Sequence, residues 1–156
     1  MSKSLKRVRA TLEGEEAEIR ETGDANTAAM AASQLGVEID QIAKSIIFRG
    51  AQSGEAVLFI TAGGNQVCPD KAAALAGEAL DRADAGLVRA QTGFAIGGVA
   101  PVAHLSTPRA WFDPRLAEFS LVWAAAGTPR HVFSLDPHRL AELSSAQISD
   151  FIQQYQ

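Results

Sequence analysis

The chain has one cysteine, Cys68, which rules out an intramolecular disulfide and any multi-cysteine zinc site. Its three histidines, His104, His131 and His138, lack metal-ligand spacing. His138 reads as a first-turn helix residue after Asp136-Pro137 and His131 as a strand residue, so structural or surface roles are expected for all three. No apolar run approaches the ~20 residues of a membrane span. The start, Met1-Ser2-Lys3-Ser4-Leu5-Lys6-Arg7, continues into an amphipathic pattern rather than a signal-peptide core, so a cytoplasmic protein without a membrane partner is expected. There is no basic excess: 14 Lys and Arg face 18 Asp and Glu for a net charge of −4, which argues against DNA or general nucleic-acid binding. Repeats, linkers and low-complexity segments are also missing.

Within that acidic balance, Lys3, Lys6, Arg7 and Arg9 crowd the first ten residues without an acidic neighbour, while Leu5, Val8 and Leu12 fall at the spacing of a buried helix face. Such a face is either solvated or turned toward phosphates. Contact with the end of an RNA alone needs few phosphate contacts, so net charge does not exclude that partner.

With 156 residues, 47% hydrophobic and 21% charged, the chain is expected to form one globular domain, residues 1–156, with a substantial core. The pattern predicts a helix ending near Gly14, a strand over 17–21, and a helix capped by Asn26 or Thr27 and stopped by Gly36. A short helical turn over 38–42 leads into strands over 44–49 and 55–62, with a short strand over 66–68. Pro69 starts a helix ended by Gly77, and a helix or turn is expected near 83–88. Strands are expected over 110–112, 119–125 and 130–135, with a helical turn at Asp113-Pro114. A helix over 137–143 follows, then a last helix capped by Ser144 or Ser145 and running toward Gln154. Hairpin-clustered strands with helices between them predict an α+β fold around a mixed, largely antiparallel central sheet with surrounding helices.

The stretch Thr92-Gly93-Phe94-Ala95-Ile96-Gly97-Gly98-Val99-Ala100-Pro101 packs three glycines and a proline into ten uncharged residues. It is either a tight connection between strands or a shaped loop whose amides can bind a carbonyl oxygen or a phosphate. Lys44, set in Gln41-Ile42-Ala43-Lys44-Ser45-Ile46-Ile47-Phe48, must either snorkel to the surface or keep its ammonium in a pocket with a polar partner. Cys68, between a strand and a helix, is either a small buried apolar residue or a thiol activated by the helix N-terminus.

These two segments, followed by Leu121-Val122-Trp123-Ala124-Ala125-Ala126-Gly127-Thr128, together resemble the YbaK/prolyl-tRNA synthetase-associated domain family, free-standing editing domains that deacylate mischarged tRNA. The resemblance extends over about 27–140 and includes Ala28-Ala29-Met30-Ala31-Ala32 and Phe112-Asp113-Pro114. It implies a YbaK-like fold in which Lys44 matches the family's functional lysine, holding the terminal ribose or phosphate, polarising the ester carbonyl, or serving as a base. The family's Gly-x-x-x-Pro element maps onto Gly97 to Pro101. Gly97 and Gly98 would supply catalytic amides, and Phe94, Ile96, Val99, Ala100 and Pro101 the wall around the aminoacyl group.

Ala126, Gly127 and Thr128 would leave room for a side chain of only a few atoms. No metal, cofactor or nucleophilic side chain is implied, since water or a group on the substrate would attack. The implied partners are the acceptor end of mischarged tRNA, foremost tRNA for proline carrying cysteine, 2-aminobutyrate or alanine, and prolyl-tRNA synthetase. Alanine-editing branches carry a histidine-proline element where this chain has Thr128-Pro129, a departure that favours the other small side chains. Two alternatives stand beside this reading: a non-catalytic module binding tRNA ends or a synthetase, and an esterase using Cys68. Whether the chain is a monomer or a homodimer is left open.

Overall fold

The computed structural model describes residues 2–154. Its centre is β3 (Ala56–Ala62), an apolar strand buried along its whole length and therefore covered on both faces. β3 pairs antiparallel with β2 (Ile42–Gly50), from Arg49 opposite Ala56 to Ala43 opposite Ala62. On its other side it runs parallel to β5 (Arg109–Phe112), which in turn runs parallel to β8 (Ala146–Ile148). Beyond β2 lie β6 (Val122–Thr128), parallel to it, then β7 (His131–Leu135) and β1 (Glu18–Glu21), each antiparallel to its neighbour. The eighth strand, β4 (Leu80–Arg82), pairs with the far end of β2. The fold is thus α+β with a mixed sheet, in which every hairpin pairing is antiparallel.

Alternation along β3 divides the core. Leu58, Ile60 and Ala62 face a large cluster built with α1 (Lys3–Thr11), the segment after α4 (Ala85–Thr92), and α5 (Pro137–Leu143). Val57 and Phe59 face α3 (Pro69–Ala76) and Trp111, while Trp123 and Ile42 meet α2 (Ala28–Leu35). Phe59 stacks on Trp111 at 5.0 Å between ring centroids and meets Phe151 edge-on at 5.0 Å. The caps follow local chemistry: the side chains of Ser2, Thr27 and Asp84 each accept an amide in the first turn of their helices. Among the described residues no helix is long and apolar enough to cross a membrane.

Three expectations need correction. The last helix does not form: Ser144 donates its hydroxyl to Leu140 O at 2.7 Å, Ser145 turns out of the helix at φ 55°, and the chain becomes β8. The unpaired edge of β5 and the burial of Phe151 outweigh a weak local cap. The short strand over 66–68 is reduced to a single bridge between Val67 and Ile152. β4 carried no strand pattern, and the helix expected near 83–88 starts at Ala85 and runs to Thr92.

His104 braces the turn that follows α4. Its Nε2 lies 2.7 Å from Ala100 O and its ring meets Phe94 edge-on. Burial pushes its pKa below the usual imidazole range, with the Arg7 charge acting in the same direction, so the folded state holds a neutral ring that donates to Ala100. The unfolded chain takes up this proton below about pH 6.5, so the brace stabilises above that value and its contribution is lost as pH falls through it. Thermal unfolding from pH 7.5 to 5.5 should show a falling midpoint in the wild type and a flatter profile in His104→Gln. Phe59→Ala should cost about 3–5 kcal/mol in urea denaturation, because it opens a cavity between Trp111 and Phe151.

Candidate active site

One edge of β2 is divided between two partners. Ile42 and Ala43 pair with Trp123 and Ala124 of β6, while Phe48, Arg49 and Gly50 pair with β4. Lys44 to Ile47 lie opposite neither strand. A register shift between Ala125 and Thr128 accompanies the separation of β6 from β2. The split opens into a cavity of about 520 Å³, lined by Ala43 to Ile47 of β2, Trp123 to Ala125 of β6, Ala28 and Ala31 of α2, and Ile96, Gly97 and Val99. Thr128, Pro129 and His131 close one end. That volume falls in the ordinary range of small-molecule sites.

Lys44 lines this cavity, and its ammonium donates to Gly63 O at 3.3 Å. The turn carrying that carbonyl is held by two carboxylates. Asp40 accepts the Gly64 amide at 2.9 Å and Arg115 Nε at 2.9 Å. The buried Asp113 accepts the Ala62 amide at 3.0 Å, Asn65 Nδ2 at 2.9 Å and the Arg115 amide at 2.9 Å. Burial pulls the Lys44 pKa below the usual lysine range, and the negative charges of Asp113 and Asp40 oppose that pull. An ammonium has three protons to donate, and Gly63 takes one.

The glycine segment forms a turn in which the Gly98 amide donates to Ala95 O at 3.0 Å and Gly97 sits at φ 95°. This spends the Gly98 amide inside the turn and corrects the expectation that both glycines offer free donors. Gly97 is exposed and lines the cavity. Gly98 is buried against the end of β6: a Cβ there would sit 3.0 Å from Thr128 C and Cα, tight enough that one side would have to give by a few tenths of an ångström. Glycine therefore sets how closely this segment approaches Thr128.

The remaining expected site residues divide. Ile96, Val99 and Thr128 line the cavity; Phe94, Ala100, Pro101, Ala126 and Gly127 do not. Phe94 and Ala100 are core residues, Pro101 is buried, Ala126 packs in the same core, and Gly127 lies against the Ser4 main chain. The small residues of β6 that line the cavity are Ala124 and Ala125, one step earlier on the strand, and Ala28, Ala31 and Ala43 are in the same lining. Cys68 is half-buried at the N-cap of α3, with its amide bonded to Phe151 O at 2.8 Å, and lies outside the cavity lining.

Several cavity groups carried no signal in the sequence. His131, read as a strand residue without a site role, lines the cavity, and its Nδ1 lies 2.7 Å from Thr128 Oγ1. That hydroxyl also accepts the Arg130 amide at 3.1 Å, so its own proton can be given to Nδ1. Lys44 and His131 are the ionisable side chains of the lining. Thr22 Oγ1, Ser45 Oγ and Trp123 Nε1 are buried without a protein partner, and all three residues border this cavity. Unpartnered buried polar atoms are rare enough that their gathering here marks a surface shaped for something other than packing. Among the described residues no three His, Cys, Asp or Glu side chains converge as metal ligands would.

Comparison with known proteins bears on the family and the fold. The chain is 31% identical over 122 residues to the uncharacterized protein YwhH of Bacillus subtilis (strain 168), covering 78% of this chain and 77% of that one. A crystal structure of a candidate trans-editing enzyme for prolyl tRNA synthetase superposes with a TM-score of 0.90 at 39% identity, covering 99% of both chains. The hypothetical protein APE2540 superposes with a TM-score of 0.85 at 25% identity, over 94% of this chain and 99% of that one. Residues 22–143 match the aminoacyl-tRNA editing domain, and the chain belongs to that family.

Proposed function

We propose that this protein is a trans-acting aminoacyl-tRNA deacylase, which hydrolyses the ester joining a small amino acid to the acceptor end of tRNA, foremost tRNA for proline. The observation that carries the reading is that Lys44 and Gly97, far apart in the chain, line the same opening in the sheet. Family membership supports the reaction class, and the 39% identical neighbour described as a candidate trans-editing enzyme for prolyl tRNA synthetase supports the tRNA and a working association with that synthetase.

In this reading the alanine-lined end of the cavity takes the amino-acid side chain, which fits cysteine, 2-aminobutyrate or alanine. A synthetase built for proline cannot strongly reject smaller side chains, because a missing methylene is worth only about 1–3 kcal/mol, and a second, smaller sieve removes the products. Water adds to the ester carbonyl carbon and negative charge develops on the carbonyl oxygen. The Gly97 amide and the free protons of the Lys44 ammonium are the donors that stabilise it, each worth roughly 2.7–4 kcal/mol in comparable sites. The carbon–oxygen bond to the ribose then breaks, the ribose oxygen takes the proton that the attacking water gives up, and free tRNA and the amino acid leave. Burial lowers the Lys44 pKa overall, while its hydrogen bond to Gly63 and the nearby Asp113 and Asp40 oppose that loss of charge, and in this reading the ammonium acts as a cation rather than as a neutral base.

A panel of tRNAs charged with cysteine, 2-aminobutyrate, alanine and proline, assayed for release of free tRNA, tests the reaction. The wild type should cleave at least one small aminoacyl ester and spare the prolyl ester, and Lys44→Ala should lose 100-fold or more in kcat. Binding without release of any amino acid would instead identify a non-catalytic module. Gly98→Ala should push the turn off Thr128 by a few tenths of an ångström and lower kcat/KM about 3- to 10-fold while the protein stays folded, since a full 1 Å displacement of positioned groups costs about 100-fold. Cys68→Ser should keep full activity, and its inactivation would favour a thiol esterase.

A further inference from the structure

The cavity shares one wall with a second recess. Thr128, Pro129 and His131 line both, and the second recess continues along α1 past Leu5, Arg9 and Arg130. A third hollow on the outer flank of α1 is lined by Lys6 and again by Arg9, so Arg9 stands between the two. We propose that this strip is the path by which a single-stranded RNA 3′ end leaves the cavity, with its phosphates meeting Arg9, Arg130 and Lys6. The proposal rests on the deacylase reading, because the strand is covalently continuous with the ester held in the cavity.

Charge decides the direction of exit. On the Lys44 side, the cations Lys44 and Arg115 stand beside the carboxylates Asp40, Asp113 and Glu118, with Arg115 paired to Asp40 and Glu118, so that side offers no surplus of positive charge to a polyphosphate chain. On the α1 side the first helical turn has no acidic residue, and Lys6, Arg9 and Arg130 are exposed. Two carboxylates also border this strip, Glu13 and Asp24. Asp24 pairs with Arg130 at 3.0 Å, but the two side chains are 71% and 59% exposed, and a pair that open to water is weak, so a phosphate can take over the guanidinium. Arg7, also in the basic cluster, is excluded. It donates to Ala103 O at 3.2 Å and Thr92 O at 3.1 Å and lies over the Phe94 ring, which fixes α1 to the glycine segment and leaves its neighbours facing out.

The test compares two substrates carrying the same amino acid: charged tRNA, and a 3′-O-aminoacyl adenosine that has no phosphate. The triple variant Lys6→Gln/Arg9→Gln/Arg130→Gln changes only exposed side chains and leaves the Arg130 amide on Thr128. For charged tRNA it should raise KM about 10- to 100-fold with kcat retained, and the slope of log(kcat/KM) against log salt should become shallower by about 0.7 for each phosphate that is no longer neutralised. Cleavage of the aminoacyl adenosine should be unchanged. Wild-type KM and salt slope on tRNA in the variant would overturn the path, and so would an equal loss on both substrates, which would mean that these residues support the cavity. Should the wild type cleave neither substrate, the deacylase reading falls. Anisotropy with a labelled uncharged tRNA then decides the path alone: weaker, less salt-dependent binding by the variant upholds it, and identical binding sinks it.

Discussion

The structure depends on β2 sharing one edge between two strands. A backbone edge can pair with one neighbour at a time, and here β6 takes its start and β4 its end, leaving Lys44 to Ile47 facing open space. Elsewhere in a protein an unpaired stretch beside a core would be covered or charged. Here it borders a cavity, and the unpartnered Ser45 and Trp123 side chains lie along the same border. The candidate site is therefore an interruption in the sheet, walled by regular structure and held rigid by it.

Two contacts give that opening its chemistry. The approach of Gly98 to Thr128 brings the glycine turn against the β6–β7 connection, so that Gly97 and His131 border one hollow. The turn after β3, fastened by Asp40 and Asp113, presents a carbonyl to the Lys44 ammonium and fixes where that charge sits. Neither contact is catalytic by itself. The first is a packing contact and the second a set of hydrogen bonds, and each holds its group in place within the folded chain.

Basic residues close together in the sequence were sorted by the fold into different tasks. Arg7 became a structural tether under α1, bonded to two carbonyls and stacked on Phe94, while Lys6 and Arg9 stayed on the surface. Proline-proximal caps, the β2–β3 hairpin and the glycine stops of α2 and α3 were legible because each rests on neighbours within a few residues. β8 was not legible, since what draws Ala146 to Ile148 into a strand is the free edge of β5, far away in the chain.

Local chemistry in the chain determined that there would be a lysine in an apolar strand, a glycine turn of restricted shape and a run of small residues on β6, and those patterns were enough to point to the family. Tertiary structure decided which of them meet. It spent the Gly98 amide within its own turn, buried Ala126 in the core and left Ala124 and Ala125 in the cavity lining. It also brought His131 into the cavity lining and Asp113 beside its lysine, roles that neither residue's own sequence position assigned. The physical reason is range: caps and turns are set by hydrogen bonds within a few residues, whereas a cavity exists only where segments distant in the chain fail to close on one another.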